Sequence, residues 1–224
     1  MAAHSYRRLT VLLLTITTLL AASPAWSRVQ ATSTTSIYEE TRAPAHKTFL
    51  NSVKAIPVPE GADTETWVFI DLISRELHVF RGRERLKTIP HVAIGTAGVE
   101  RIRTMGSHLT PVGEFRVDQI NRQSRFNTFF GIDYPTPEIV QDAHKAGLLS
   151  DRDYQRYTQH RKRYNRTLHH TALGGNIGIH GLGRRNPEVH RVYDWTEGCL
   201  AVNNSEIKEL SQWIDLGTRV VLHD

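Results

Sequence analysis

Cysteine is almost absent from this sequence. Its 224 residues include one, Cys199, which excludes an intrachain disulfide and any Cys-rich zinc or iron–sulfur site. A dense Lys/Arg run is also missing. Lys plus Arg stand at 28 against 23 Asp plus Glu, and at 26 against 23 once Arg7 and Arg8 are set aside with a leader segment. That mild excess argues against nucleic acid as a partner. The longest uncharged apolar stretch, Leu9 to Ala22, falls short of the ~20 residues that cross a bilayer. There is no internal repeat. His169 and His170 are adjacent, so their side chains diverge, and no His-x-x-x-His spacing accompanies the 12 histidines. Neither a metal nor a cofactor is expected.

What is present suits a globular protein, with 39% hydrophobic and 23% charged residues. The length fits one domain of roughly 150 residues plus a leader and linker. Arg7 and Arg8 precede the apolar stretch, and Ser23-Pro24-Ala25-Trp26-Ser27 supplies small residues for cleavage after Ser27 or Ala25. Residues 1–27 therefore read as a secretory signal peptide. No cysteine near that site could carry a lipid, so the mature protein is expected in the periplasm or cell envelope with no stable membrane anchor. Residues 28–65, rich in Thr, Ser, Ala and Pro, read as a polar linker with a short helix around Lys47 to Ala55.

From residue 66 to 224 the texture is that of a folded domain. Trp67 to Leu72, Glu76 to Arg81 and Lys87 to Ile94 are β-rich runs in a hairpin series. Phe115 to Val117 is a short strand. Thr136-Pro137-Glu138 is a helix start, with a capping hydroxyl, proline at the first helical position and an acid in the first turn. Gly147 is placed to end that helix, and Ser150-Asp151-Arg152-Asp153 opens a second one. Together they form a helical insertion over about 136–166, whose Arg161, Lys162, Arg163 and Arg166 make a basic face. Strand character returns at Asn176 to His180 and Leu200 to Val202. Ser205 is expected to cap a helix with Ile207, Leu210, Trp213 and Ile214 on its apolar face, and Gly217 turns the chain into a last strand from Arg219 to Leu222. The expected fold is mainly β, a β-sandwich or barrel-like domain with peripheral helices and a helical insertion.

The unusual residues concentrate near the end of the chain. Ile177 and Ile179 alternate along a strand that leaves His180 at its end beside Gly181. Gly198 permits a tight turn before Cys199, with backbone N–H groups available to an oxyanion. A histidine can take a thiol proton, since their ordinary pKa values of about 6.5 and 8.5 are close. A Cys–His pair so placed suits acyl transfer through a thioester.

Three ordered motifs resemble the L,D-transpeptidase catalytic domain, the YkuD family. They are Thr110-Pro111-Val112-Gly113-Glu114-Phe115, His180-Gly181 and Thr196-Glu197-Gly198-Cys199. The resemblance implies Cys199 as nucleophile and His180 as base and then acid, with oxyanion and turn support from Gly198, Thr196 and Gly181. It also implies peptidoglycan stem peptides as partners. Arg184 and Arg185, just after His180-Gly181, are candidates for a substrate carboxylate, and the helical insertion is a candidate lid. Glu197 stands where the family has histidine, and Ala201 where it often has arginine, so Asp194-Trp195-Thr196-Glu197-Gly198-Cys199 looks similar to the YafK-like branch. Two readings stand beside acyl transfer. One is an amidase of the same fold that cleaves links within peptidoglycan or to a wall-linked protein. The other is a wall-binding module without turnover.

Overall fold

The computed structural model describes Ile56 and residues 58–224. The leader read over 1–27 and the helix read over Lys47 to Ala55 lie outside the described residues. The first strand, β1 (Thr66–Asp71), is apolar on both sides because both sides are covered. Val68 and Ile70 enter the main core, whereas Trp67 and Phe69 face a smaller cluster with Phe80 and Ala62. Ile56 and Val58 pack on that cluster too. The last part of the expected linker is thus packed against the domain. Trp67 completes the cluster by stacking on Phe80 at 4.7 Å and donating Nε1–H to the Gly82 carbonyl at 2.8 Å.

A sharp turn leads to β2 (Glu76–Arg81), and β3 (Glu84–Ile89) follows. The third run was expected to begin at Lys87 and continue to Ile94. It starts three residues earlier, pairing Glu84 with Arg81, and leaves the ladder before Pro90, which has no N–H to donate. After the two-residue strands β4 (Val99–Glu100) and β5 (Thr110–Pro111) comes β6 (Gly113–Ser124), twelve residues rather than a short strand at Phe115 to Val117. Only Phe115 and Val117 of β6 are buried. Its polar second half is held as a strand by pairing with β7 (Asn127–Ile132), an element the sequence reading did not assign.

The helical insertion forms as expected. In α1 (Pro137–Lys145) the Thr136 hydroxyl accepts from the Ile139 N–H, and in α2 (Asp151–Tyr164) Ser150 accepts from Asp153. Tyr157 anchors α2, buried and donating to the Pro135 carbonyl at 2.7 Å. Next come β8 (Gly178–His180), shorter than the run from Asn176, and an unassigned helix α3 (Pro187–Val192). Asn186-Pro187-Glu188 carries the same cap–proline–acid signal that announced α1. Then follow β9 (Leu200–Ala201), α4 (Asn204–Leu210) and β10 (Arg219–His223). Asn203, not Ser205, caps α4. Its backbone N–H donates to Glu206 at 2.7 Å in a capping box, so the helix starts before Ser205.

Eight strands form one sheet in the order β3-β2-β1-β10-β6-β7-β8-β9. The β1–β10 and β8–β9 pairs are parallel and the other neighbours antiparallel. The sheet curls until its ends meet. Ala93, just beyond β3, exchanges backbone hydrogen bonds of 3.0 and 2.8 Å with Ala201 of β9, and Gly95 bridges to Thr196. The mainly β, curled fold with peripheral helices is therefore as the sequence indicated. Closure has a functional consequence, because it fixes β9 and the turn before it from both sides.

Candidate active site

The parallel pairing of β8 and β9 places Ile179 beside Leu200 and His180 beside Ala201. One step earlier, Cys199 stands level with Gly178. Side chains alternate along a strand, so His180 and Cys199 share the face opposite Ile179 and Leu200, which are fully buried. Both line one cleft of about 390 Å³, together with Phe126, Phe129, Arg185 and Trp195.

The imidazole is fixed from several directions. His180 is 3% exposed, stacks on Phe126 at 4.4 Å and meets the Trp195 ring at 5.8 Å. Its Nδ1 lies 2.7 Å from the Gly181 carbonyl oxygen. A carbonyl can only accept, so Nδ1 carries the proton and the neutral ring keeps its lone pair at Nε2. Burial lowers the His180 pKa below its ordinary value, Arg125 and His190 add to the effect, and the Gly181 bond opposes it.

Cys199 is half-buried by surface, and the thiol is densely surrounded by protein. It donates to the Asn176 carbonyl at 3.6 Å and not to His180. Burial pushes its pKa up to about 11; the Gly178 backbone bond and Arg103 pull it down, and Glu197 pushes it up. The two pKa values are driven apart, contrary to the proximity of their ordinary values. A neutral thiol and a neutral imidazole are the resting forms.

Thr196 builds the turn ahead of Cys199. Its hydroxyl donates to the Cys199 carbonyl at 2.6 Å and accepts from the Gly198 N–H at 3.1 Å. The Gly198 N–H is thus the donor that closes this turn. Gly198 has φ +121°, and a Cβ there would sit 2.4 Å from the Leu109 carbonyl oxygen, so only glycine fits. Gly181 likewise acts through packing and its carbonyl: a Cβ would lie 2.7 Å from both Asn204 Oδ1 and the Phe126 oxygen.

Of the two arginine candidates, Arg185 enters the cleft and covers the Trp195 ring at 4.1 Å, whereas Arg184 is exposed and does not line it. Neither cleft bordering Cys199 is lined by residues 136–166, so the insertion does not cover the thiol. His190, read as a surface loop histidine, is 2% exposed within α3 and accepts from Trp195 Nε1 at 3.4 Å. The Asp194 carboxylate ties the motif to the sheet by accepting from Arg75 at 2.8 Å and the Ile94 N–H at 2.9 Å.

A second cleft of about 330 Å³ shares Cys199, Asn176 and Glu197 with the first and is bounded by Arg103, Met105 and Gly174. Arg103 escaped the sequence reading because nothing near it in the chain marks it. It arrives from the loop between β4 and β5, where the Tyr134 hydroxyl bonds both its backbone N–H and its carbonyl, at 3.0 and 3.1 Å.

The site is a Cys–His pair at the closure of a curled β-sheet. The L,D-transpeptidase catalytic domain, YkuD, matches residues 65–222, so the protein belongs to that family. The fold is similar to that of the helical cell shape determining protein Pgp2 from Campylobacter jejuni, with 18% identity and a TM-score of 0.51 over 79% of this chain and 54% of that one. Bd1075 from Bdellovibrio bacteriovorus is similar at 22% identity and a TM-score of 0.45, over 76% and 51% of the two chains. An L,D-transpeptidase from Xylanimonas cellulosilytica follows at 17% and 0.43, over 80% and 70%. The chain spans about half the length of the first two, and at these identities the likeness is one of fold. No curated protein matches the sequence.

Proposed function

We propose that the protein is an exported cysteine acyltransferase acting on peptidoglycan stem peptides through a thioester on Cys199. The observation that carries this reading is the placement of Cys199 and His180 on one face of adjoining strands, with Nδ1–H held by Gly181 and Nε2 left as the base. The reaction requires the Cys199 side chain to turn from the Asn176 carbonyl towards the imidazole on the same cleft. Sγ then attacks the carbonyl carbon of the amide that follows a diaminopimelate-type residue, and Nε2 takes the thiol proton. The Cys199 backbone N–H supports the oxyanion, a contribution of roughly 3 kcal/mol for a well-aligned donor. Collapse breaks the C–N bond and the imidazolium returns the proton to the leaving amine; an incoming amine then attacks the thioester, passes its proton through Nε2 to the departing sulfur, and forms the new amide.

Muropeptide analysis of isolated cell walls, treated with wild type or with Cys199→Ala, tests the reading. New cross-linked dimers with wild type alone are expected. Shortened stems or released protein without dimers would mean that water is the acceptor and the enzyme is a hydrolase. Unchanged walls, with no mass adduct on Cys199 after incubation with a carbapenem, would leave only a binding module.

A further inference from the structure

Arg103 is 4% exposed, yet among the described residues no carboxylate is in ion-pair contact with its guanidinium, and the Glu197 charge acts on it only from a longer distance. One nitrogen, Nη2, donates to the Glu197 carbonyl at 3.1 Å, while Nε is buried without any partner. Nη1 borders Gly174, where even a Cβ would come within 3.1 Å. A buried cation with no carboxylate in contact is costly, and the cost falls when an anion binds beside it. Arg103 lies in the cleft that runs from Cys199 on the side away from the Phe126–His180 stack. The exposed Glu197 side chain borders the same cleft, where its family pattern has a histidine. An arginine and a carboxylate around one small cleft complement a zwitterion.

We propose that this cleft is a subsite for an α-amino carboxylate head group, with the carboxylate on the Arg103 guanidinium and the ammonium on Glu197. Such a group ends the side chain of a diaminopimelate-type residue, so the inference deepens the reading of Cys199 as an acyltransferase and rests on it. The planar fork of Arg103 suits two parallel hydrogen bonds to a carboxylate, which a lysine cannot make. Arg103 and Glu197 are thus specificity residues and take no proton in the reaction. The head group can belong to the acyl donor or to an incoming acceptor, and the two steps of the reaction separate these sources.

The test compares a diaminopimelate-containing tetrapeptide with its side-chain carboxylate free or amidated. Wild type is expected to favour the free acid by about 10- to 100-fold in kcat/KM, the worth of a charge-assisted pair. Arg103→Gln is expected to collapse that ratio towards one, and Arg103→Lys to restore part of it. Glu197→Gln is expected to collapse the corresponding ratio between the free and the acetylated side-chain amine. A preference seen in thioester formation assigns the group to the donor, and one seen only in transfer assigns it to the acceptor. Calorimetric binding to Cys199→Ala gives the same ratios without turnover, so binding selectivity without any thioester sinks the proposed reaction and leaves the subsite standing. Equal handling of acid and amide by wild type, or equal losses on both in Arg103→Gln, overturns the subsite and leaves Arg103 a support for the Glu197 carbonyl.

Discussion

If burial governs Cys199, its resting thiol is protonated at every physiological pH, and alkylation by iodoacetamide reads this directly. With a thiol at about 11 instead of 9.0, the thiolate fraction at pH 8 is ~100-fold below that of an ordinary cysteine. The more basic thiolate is also more nucleophilic, which returns a factor of ~8 and leaves a net deficit of ~10-fold. The slope is the sharper signature. The rate should climb about tenfold per pH unit from 6 to 10 without a plateau. Passing the proton to an imidazole held below 6.5 costs ~6 kcal/mol, at 1.36 kcal/mol per pH unit, before the attraction between the two new charges is counted, so the neutral pair is the resting form. A plateau in alkylation near neutral pH would refute this reasoning, because it would mean that a thiolate–imidazolium pair already exists at rest.

Phe126→Ala removes the ring stacked on His180 and admits water; the His180 pKa is expected to rise towards 6.5, followed by NMR titration of the ring protons, and an unmoved midpoint would show that the ring does not maintain the desolvation. Gly198→Ala forces a Cβ against the Leu109 carbonyl at φ +121° and should lower stability by roughly 2–4 kcal/mol while abolishing carbapenem acylation; a normal melting temperature would contradict the close contact. Burial lowers the pKa of His78, His180 and His190 alike, so the unfolded chain binds more protons below pH 6.5. Stability is then full above 6.5 and falls as pH drops towards the folded values, by up to ~1.4 kcal/mol per pH unit for each histidine; a melting temperature unchanged from pH 7 to 5 would refute it. A chain beginning at Thr66 loses Ile56, Val58 and Ala62 from the Trp67–Phe80 cluster and should melt below one beginning at Ile56, by ~2–4 kcal/mol for the apolar area uncovered; equal denaturant midpoints would show that the cluster stands without them.

The local chemistry of this protein is written in its residues. Thr136-Pro137-Glu138 and Ser150-Asp151 announce α1 and α2 because capping depends on a few adjacent side chains. The apolar residues at successive positions announce β1 and β2, because a strand covered on both faces needs them. His180-Gly181 and Thr196-Glu197-Gly198-Cys199 announce the candidate pair, since a positive-φ glycine and a hydroxyl that closes the turn act within four residues. The polar half of β6 has no such signature, because it is a strand only through its pairing with β7. Nor could the chain as text place Arg103 beside Cys199, bury His190 against Trp195, or keep the insertion away from the clefts. It could not show that the thiol and imidazole are driven apart in pKa, since desolvation comes from Phe126, Trp195 and the closed sheet. Those are properties of residues distant in sequence and brought together only when the two ends of the sheet meet.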